Sequence, residues 1–135
     1  MFKNKLFKHA FGVLILFGLL IFMADKLYLY WTVIWMDLVM HFLGGVWVVL
    51  VILWIWSIRK NFILPNKTKT LKICIVGVMI VGLLWEVYEL LIGAVRPSEG
   101  YRYWADTSSD LIMDYVGAIF GGFYGFWLLQ KNNGK

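Results

Sequence analysis

The residues able to do chemistry in this sequence are acids and one histidine at helical spacing. Asp37 and His41 stand four apart, Glu86 and Glu89 three apart, and Asp106, Asp110 and Asp114 follow one another at a stride of four. Residues three or four apart share a face of a helix. An aspartate four residues from an imidazole is placed to orient its ring. Carboxylates in pairs serve as general acid and base, and several of them with one imidazole suit Mg, Mn, Ca or Zn. The candidate catalytic residues are therefore Asp37, His41, Glu86, Glu89, Asp110 and Asp114, and the candidate metal ligands are His41, Glu86, Glu89 and Asp114. Arg96 and Arg102 are the nearby cations besides Lys26. They are substrate-binding candidates, placed either to pair with the acids or to receive an anionic headgroup. Thr107, Ser108 and Ser109 lie close by, but no Ser or Cys is placed as a nucleophile.

Each of these residues also has a plainer reading. A lone histidine on an apolar helix is often a hydrogen-bonded structural residue. Asp106 and Asp110 also fit a helix start, where a carboxylate satisfies free amides and suits the dipole. Asp114, Glu86 and Glu89 stand deeper in their helices, where that explanation is not open to them.

The elements that carry these residues are apolar. The chain has 135 residues, 61% hydrophobic, 19% aromatic and 16% charged. A soluble domain carries roughly a quarter charged residues, and the mean hydropathy here is +0.75. This is the composition of an all-α, polytopic membrane protein, with length for one domain, residues 1–135. The single Cys74 excludes an intramolecular disulfide and a cysteine-rich metal site. The net charge of +5 is not a nucleic-acid signal, because the basic residues flank apolar runs.

Four transmembrane helices are expected, over about residues 6–24, 37–58, 71–95 and 109–130, with an aromatic interfacial segment at 27–36. The first begins like a signal peptide, but no small-residue cleavage site follows, so it reads as a retained span. Arg96-Pro97 stops the third. Gly82, Glu86, Glu89 and Gly93 form one seam of that helix, and Gly117, Gly121 and Gly125 continue the acidic stripe of the fourth. Glycine stripes let a second helix approach closely, within one chain or between copies, so a homo-oligomer through these faces is one expectation.

Lys and Arg give the orientation. Lys3, Lys5, Lys8, Arg59, Lys60, Lys67, Lys69, Lys72, Lys131 and Lys135 fall at the termini and the middle loop, against Lys26, Arg96 and Arg102 on the other side. Both termini are then cytoplasmic in a multi-pass protein of the plasma (inner) membrane, and the acids face outward. Burying each bare charge costs several kcal/mol after relaxation. The acids must share protons, a wet pocket or a divalent cation.

The pattern Asp37-x-x-x-His41, Glu86-x-x-Glu89, then Asp106-Thr-x-x-Asp110-x-x-x-Asp114-x-x-Gly117 resembles the VanZ-like membrane proteins and the related YjdF-like family of unknown function. The resemblance covers about residues 37–125. The chain has Glu89 where VanZ-like proteins usually have glutamine, and Asp114 where they usually have asparagine, which moves it toward the YjdF-like side. The VanZ-like resemblance implies an association with glycopeptide (teicoplanin) resistance and carries no settled biochemical activity.

Three functions compete. The first is a membrane enzyme, assisted by a divalent metal, acting on an envelope lipid or lipid-linked substrate at the outer leaflet. The second is a non-enzymatic envelope protein that binds a lipid, an antibiotic or a partner helix. The third is ion or proton transport, which the absence of charge in the inner halves of the spans disfavours.

Overall fold

The computed structural model describes residues 2–33, 35–58 and 66–130, without the side chains of residues 2–4 and Trp31. Arg59, Lys60, Pro65, Lys131 and Lys135, which bear on the charge bias and the middle loop, lie outside the described residues. Among the described residues the chain is all helical: α1 Phe2–Lys26, α2 Leu29–Thr32, α3 Met36–Ile58, α4 Lys67–Ile92, a 3₁₀ turn Pro97–Glu99, and α5 Tyr101–Gln130. Four of these helices are long and apolar enough to cross a membrane: Lys5–Lys26, Met36–Ile58, Lys67–Ile92 and Tyr101–Gln130.

Local signals set the helix ends. The Asn66 side chain accepts a hydrogen bond from the Thr68 amide at 3.1 Å and caps α4. That helix closes on Gly93, whose left-handed φ of 72° needs a residue without Cβ. Ala94 N–H then donates to Glu89 O at 3.0 Å and Gly93 N–H to Leu90 O at 3.2 Å, the paired bonds of a Schellman end. The third span therefore stops at Ile92, before the expected residue 95. Gly100, also at positive φ, turns the chain into α5, which begins at Tyr101, well before the expected residue 109. The polar start of α5 belongs to the helix because Tyr103 is buried there. The interfacial segment is the short α2, entered through Tyr28 at φ 55°.

The bundle is organised on the pair α3 and α5, the most extensive helix contact, with α1 against α3 and α4 against α5. Glycine makes that pair close. A Cβ on Gly117 would strike the Phe42 carbonyl oxygen, and one on Gly121 would lie 3.0 Å from Val46 Cα. The backbones of α3 and α5 therefore meet directly, as small residues permit between membrane helices. Below this crossing the core is Val49, Leu50, Leu53, Val78, Ala118 and Phe126. The outside is apolar as well: Leu91 is 80% exposed and Phe123 65%. A soluble protein does not expose apolar surface on this scale, but a bilayer solvates it.

Candidate functional site

The α3–α5 crossing brings its polar residues to one level. Asp37 and His41 occupy the first two turns of α3. Facing them on α5 are Asp110 and Asp114. His41 Nδ1 lies 3.4 Å from Asp114 Oδ2, and Nε2 lies 3.9 Å from Asp110 Oδ2. From α4, Glu86 reaches the same cluster of helices and accepts a hydrogen bond from Thr107 Oγ1 at 2.6 Å. His41, Glu86, Asp110 and Asp114 are all buried, Asp110 with 1% exposure.

Small residues make the room. A Cβ on Gly82 would fall on Asp114 Oδ2, and one on Gly45 would sit 2.5 Å from the Asp114 carbonyl oxygen. Glycine at these positions on α4 and α3 lets a carboxylate stand between three helices.

Several of these groups lack partners. Both oxygens of Asp110, Oδ2 of Asp114 and Oε1 of Glu86 are buried without a hydrogen bond. The approach of His41 to Asp114 has ion-pair distance but not hydrogen-bond geometry. An unsatisfied buried polar group costs about 1–3 kcal/mol, and more when charged. Most native buried polar groups avoid that cost. Of the exceptions here, Oδ2 of Asp110 and Oδ2 of Asp114 face the two ring nitrogens of His41.

The group of possible ligands that this geometry brings together differs from the expected set. The residues that each offer a ligand atom within 4.8 Å of the others are Asp37, His41 and Asp110. Glu89 is only half-buried and accepts from Trp85 Nε1 at 3.0 Å, one turn back on its own helix. Glu86 has Thr107 on one oxygen. Asp37 lies within reach of the imidazole, while the ion-pair contacts of the ring nitrogens among the described residues are with Asp114 and Asp110. The helix-start readings of Asp106 and Asp110 also fall away, because α5 begins at Tyr101 and both stand inside it. Asp106 is exposed, as are Arg96 and Arg102. Arg96 precedes the 3₁₀ turn and Arg102 sits in the first turn of α5, so both belong to the end of the bundle that holds the cluster.

Sequence reasoning left Thr107 out of the site. Thr107 stands in the right stretch, but its pairing with Glu86 depends on how α4 packs on α5. Tyr30 reads from sequence as an interface anchor. Burial, then the neighbouring Asp37 and Glu89 carboxylates, push its phenol above the ordinary tyrosine range.

The family model described as "Predicted membrane protein (DUF2238)" matches residues 2–131. The chain belongs to this family. No curated protein and no solved structure matches this DUF2238 member. Membership agrees with the four apolar helices and leaves the VanZ-like and YjdF-like names without support from the match.

Proposed function

We propose that this DUF2238 member is a multi-pass plasma-membrane protein whose carboxylate–histidine cluster acts, with a divalent cation, on a phosphate-bearing envelope lipid or lipid-linked substrate. The cluster opens away from the cytoplasm in this reading, which rests on the distribution of Lys and Arg. One observation carries the proposal: buried carboxylate oxygens of Asp110 and Asp114 without hydrogen bonds face one imidazole, and Glu86 Oε1 is a further buried oxygen without a partner on the adjoining helix. Like charges this close repel a phosphate unless a cation lies between, and a cation bridging carboxylates and phosphate is a common solution. Arg96 and Arg102 are the phosphate-binding candidates at that end. In the reaction, water gives a proton to Glu86 Oε1 while its oxygen bonds to phosphorus. With a lipid diphosphate the attacked phosphorus is the terminal one: its bond to the bridging oxygen breaks, that oxygen leaves on the lipid monophosphate and takes the proton back, and inorganic phosphate is released.

Reconstitution in vesicles containing a polyprenyl diphosphate tests this. Divalent-dependent release of inorganic phosphate is expected from the wild type, reduced at least about 100-fold in Glu86→Gln, the usual scale for losing a general base. Undiminished release by Glu86→Gln sinks the assignment of Glu86, and no release under any divalent cation sinks the enzyme reading. The Thr107–Glu86 hydrogen bond favours one alternative, a buried network in a lipid-binding protein. Saturable lipid binding without turnover is its signature.

A further inference from the structure

The proposed function calls for a cation without saying which residues hold it, and the geometry of His41 divides the labour. We propose that Asp37, His41 Nε2 and Asp110 ligate one divalent transition cation, while Asp114 on Nδ1 orients the ring and Glu86 stays outside the coordination sphere. This rests on the location of the site given above, not on the reaction assigned to it.

Three observations support the division. The first is the spacing. Two ligands each about 2.1 Å from one ion lie roughly 3 to 4.2 Å apart. His41 Nε2 and Asp110 Oδ2 are 3.9 Å apart, too far for a hydrogen bond and within that range. Asp37 completes a group whose ligand atoms all lie within 4.8 Å of one another, a little wider than one ion requires. The second is Asp110 itself. It is 1% exposed, has neither oxygen hydrogen-bonded, and turns Oδ2 toward the imidazole. A carboxylate so enclosed calls for a positive partner, and among the described residues its only ion-pair contact is His41. The third is the far side of the ring. Asp114 Oδ2 stands 3.4 Å from Nδ1, and the negative charge of a carboxylate on that side favours the proton on Nδ1 and leaves the Nε2 lone pair for a metal. Gly82 is what lets that carboxylate stand there.

The donor set selects the ion. Two carboxylates and one imidazole favour Zn2+ or Mn2+ over Mg2+ or Ca2+, which prefer oxygen alone. Three protein ligands leave positions for water or a substrate oxygen, the pattern of a catalytic site and not a structural one.

The test is metal analysis on the full chain purified in detergent, followed by calorimetric titration of the stripped protein with Zn2+ and Mn2+. One ion per chain is expected. Asp37→Asn, His41→Gln and Asp110→Asn should each weaken binding at least about 100-fold, and Asp114→Asn about 10–100-fold. Glu86→Gln and Glu89→Gln should leave affinity within about threefold. Pulsed EPR of Mn2+-loaded wild type should show coupling to an imidazole nitrogen, a readout that does not depend on any variant folding. Absence of stoichiometric binding overturns the proposal, as does loss of that nitrogen coupling, or binding abolished by Glu86→Gln and kept by Asp37→Asn. Metal bound by these residues with no phosphate release leaves this site standing and removes the reaction. Release with no metal bound does the reverse.

Discussion

A buried carboxylate in this bundle depends on a single missing methyl group. Asp114 Oδ2 occupies the space a side chain on Gly82 would take. Gly82→Ala should leave thermal stability in detergent within about 1 kcal/mol, because alanine favours the helix and the obstacle is the end of a side chain. It should still weaken divalent binding severalfold, because the carboxylate must leave the His41 ring. Calorimetry on the variant checks this, and unchanged affinity would detach Asp114 from the imidazole. Thr107 poses the complementary case. Thr107→Val removes the one described donor to Glu86 and leaves both its oxygens unsatisfied. Thermal unfolding should show a loss of about 1–3 kcal/mol, whereas Thr107→Ser should restore most of it.

At the scale of elements, the α3–α5 contact is held by glycines that do unequal work. Gly117 meets the Phe42 carbonyl, which is backbone and cannot turn aside. Gly117→Ala should push the helices apart and destabilise by about 1–3 kcal/mol, with loss of cation binding, since His41 and Asp110 sit on the two separated helices. Gly44, one residue from Gly45, has nothing within 4 Å of its would-be Cβ. Gly44→Ala should match the wild type or gain up to about 1 kcal/mol from helix propensity. Equal effects of the two substitutions, measured by thermal melts, would contradict the close crossing. The stripe of Gly117, Gly121 and Gly125 is covered by α3 of the same chain. The acidic stripe of α5 shows the same geometry from the other side. Asp110 and Asp114 are buried while Asp106 is exposed. Eight residues at about 100° each carry Asp106 about 80° around the axis from Asp114, out of the seam.

For the whole molecule, the acidic cluster lies at the end of the bundle that also holds the 3₁₀ turn Pro97–Glu99. The proposed orientation puts that turn outside the cell. Cys74 is fully buried, so background labelling of the wild type by a membrane-impermeant thiol reagent should be low. Glu99→Cys should then label in intact cells, and Lys67→Cys only after lysis. The opposite pattern would invert the bundle and place the site on the cytoplasmic side.

The sequence by itself determined the four apolar helices and the helices that carry acids, because apolar length and helical period are properties of contiguous residues. It also singled out Asp37, His41, Glu86, Glu89, Asp110 and Asp114 as candidates, since charge in an apolar span has few explanations. Helix ends were less legible. Gly93 and Gly100 act through backbone angles, and the start of α5 is polar on one side and buried at Tyr103 on the other. Only the tertiary structure decided which carboxylate faces which ring nitrogen, that Glu89 turns to Trp85, and that Thr107 serves Glu86. Those choices turn on a few ångströms between residues far apart in the chain. The depth of the glycine crossing sets these distances, and no local pattern encodes it.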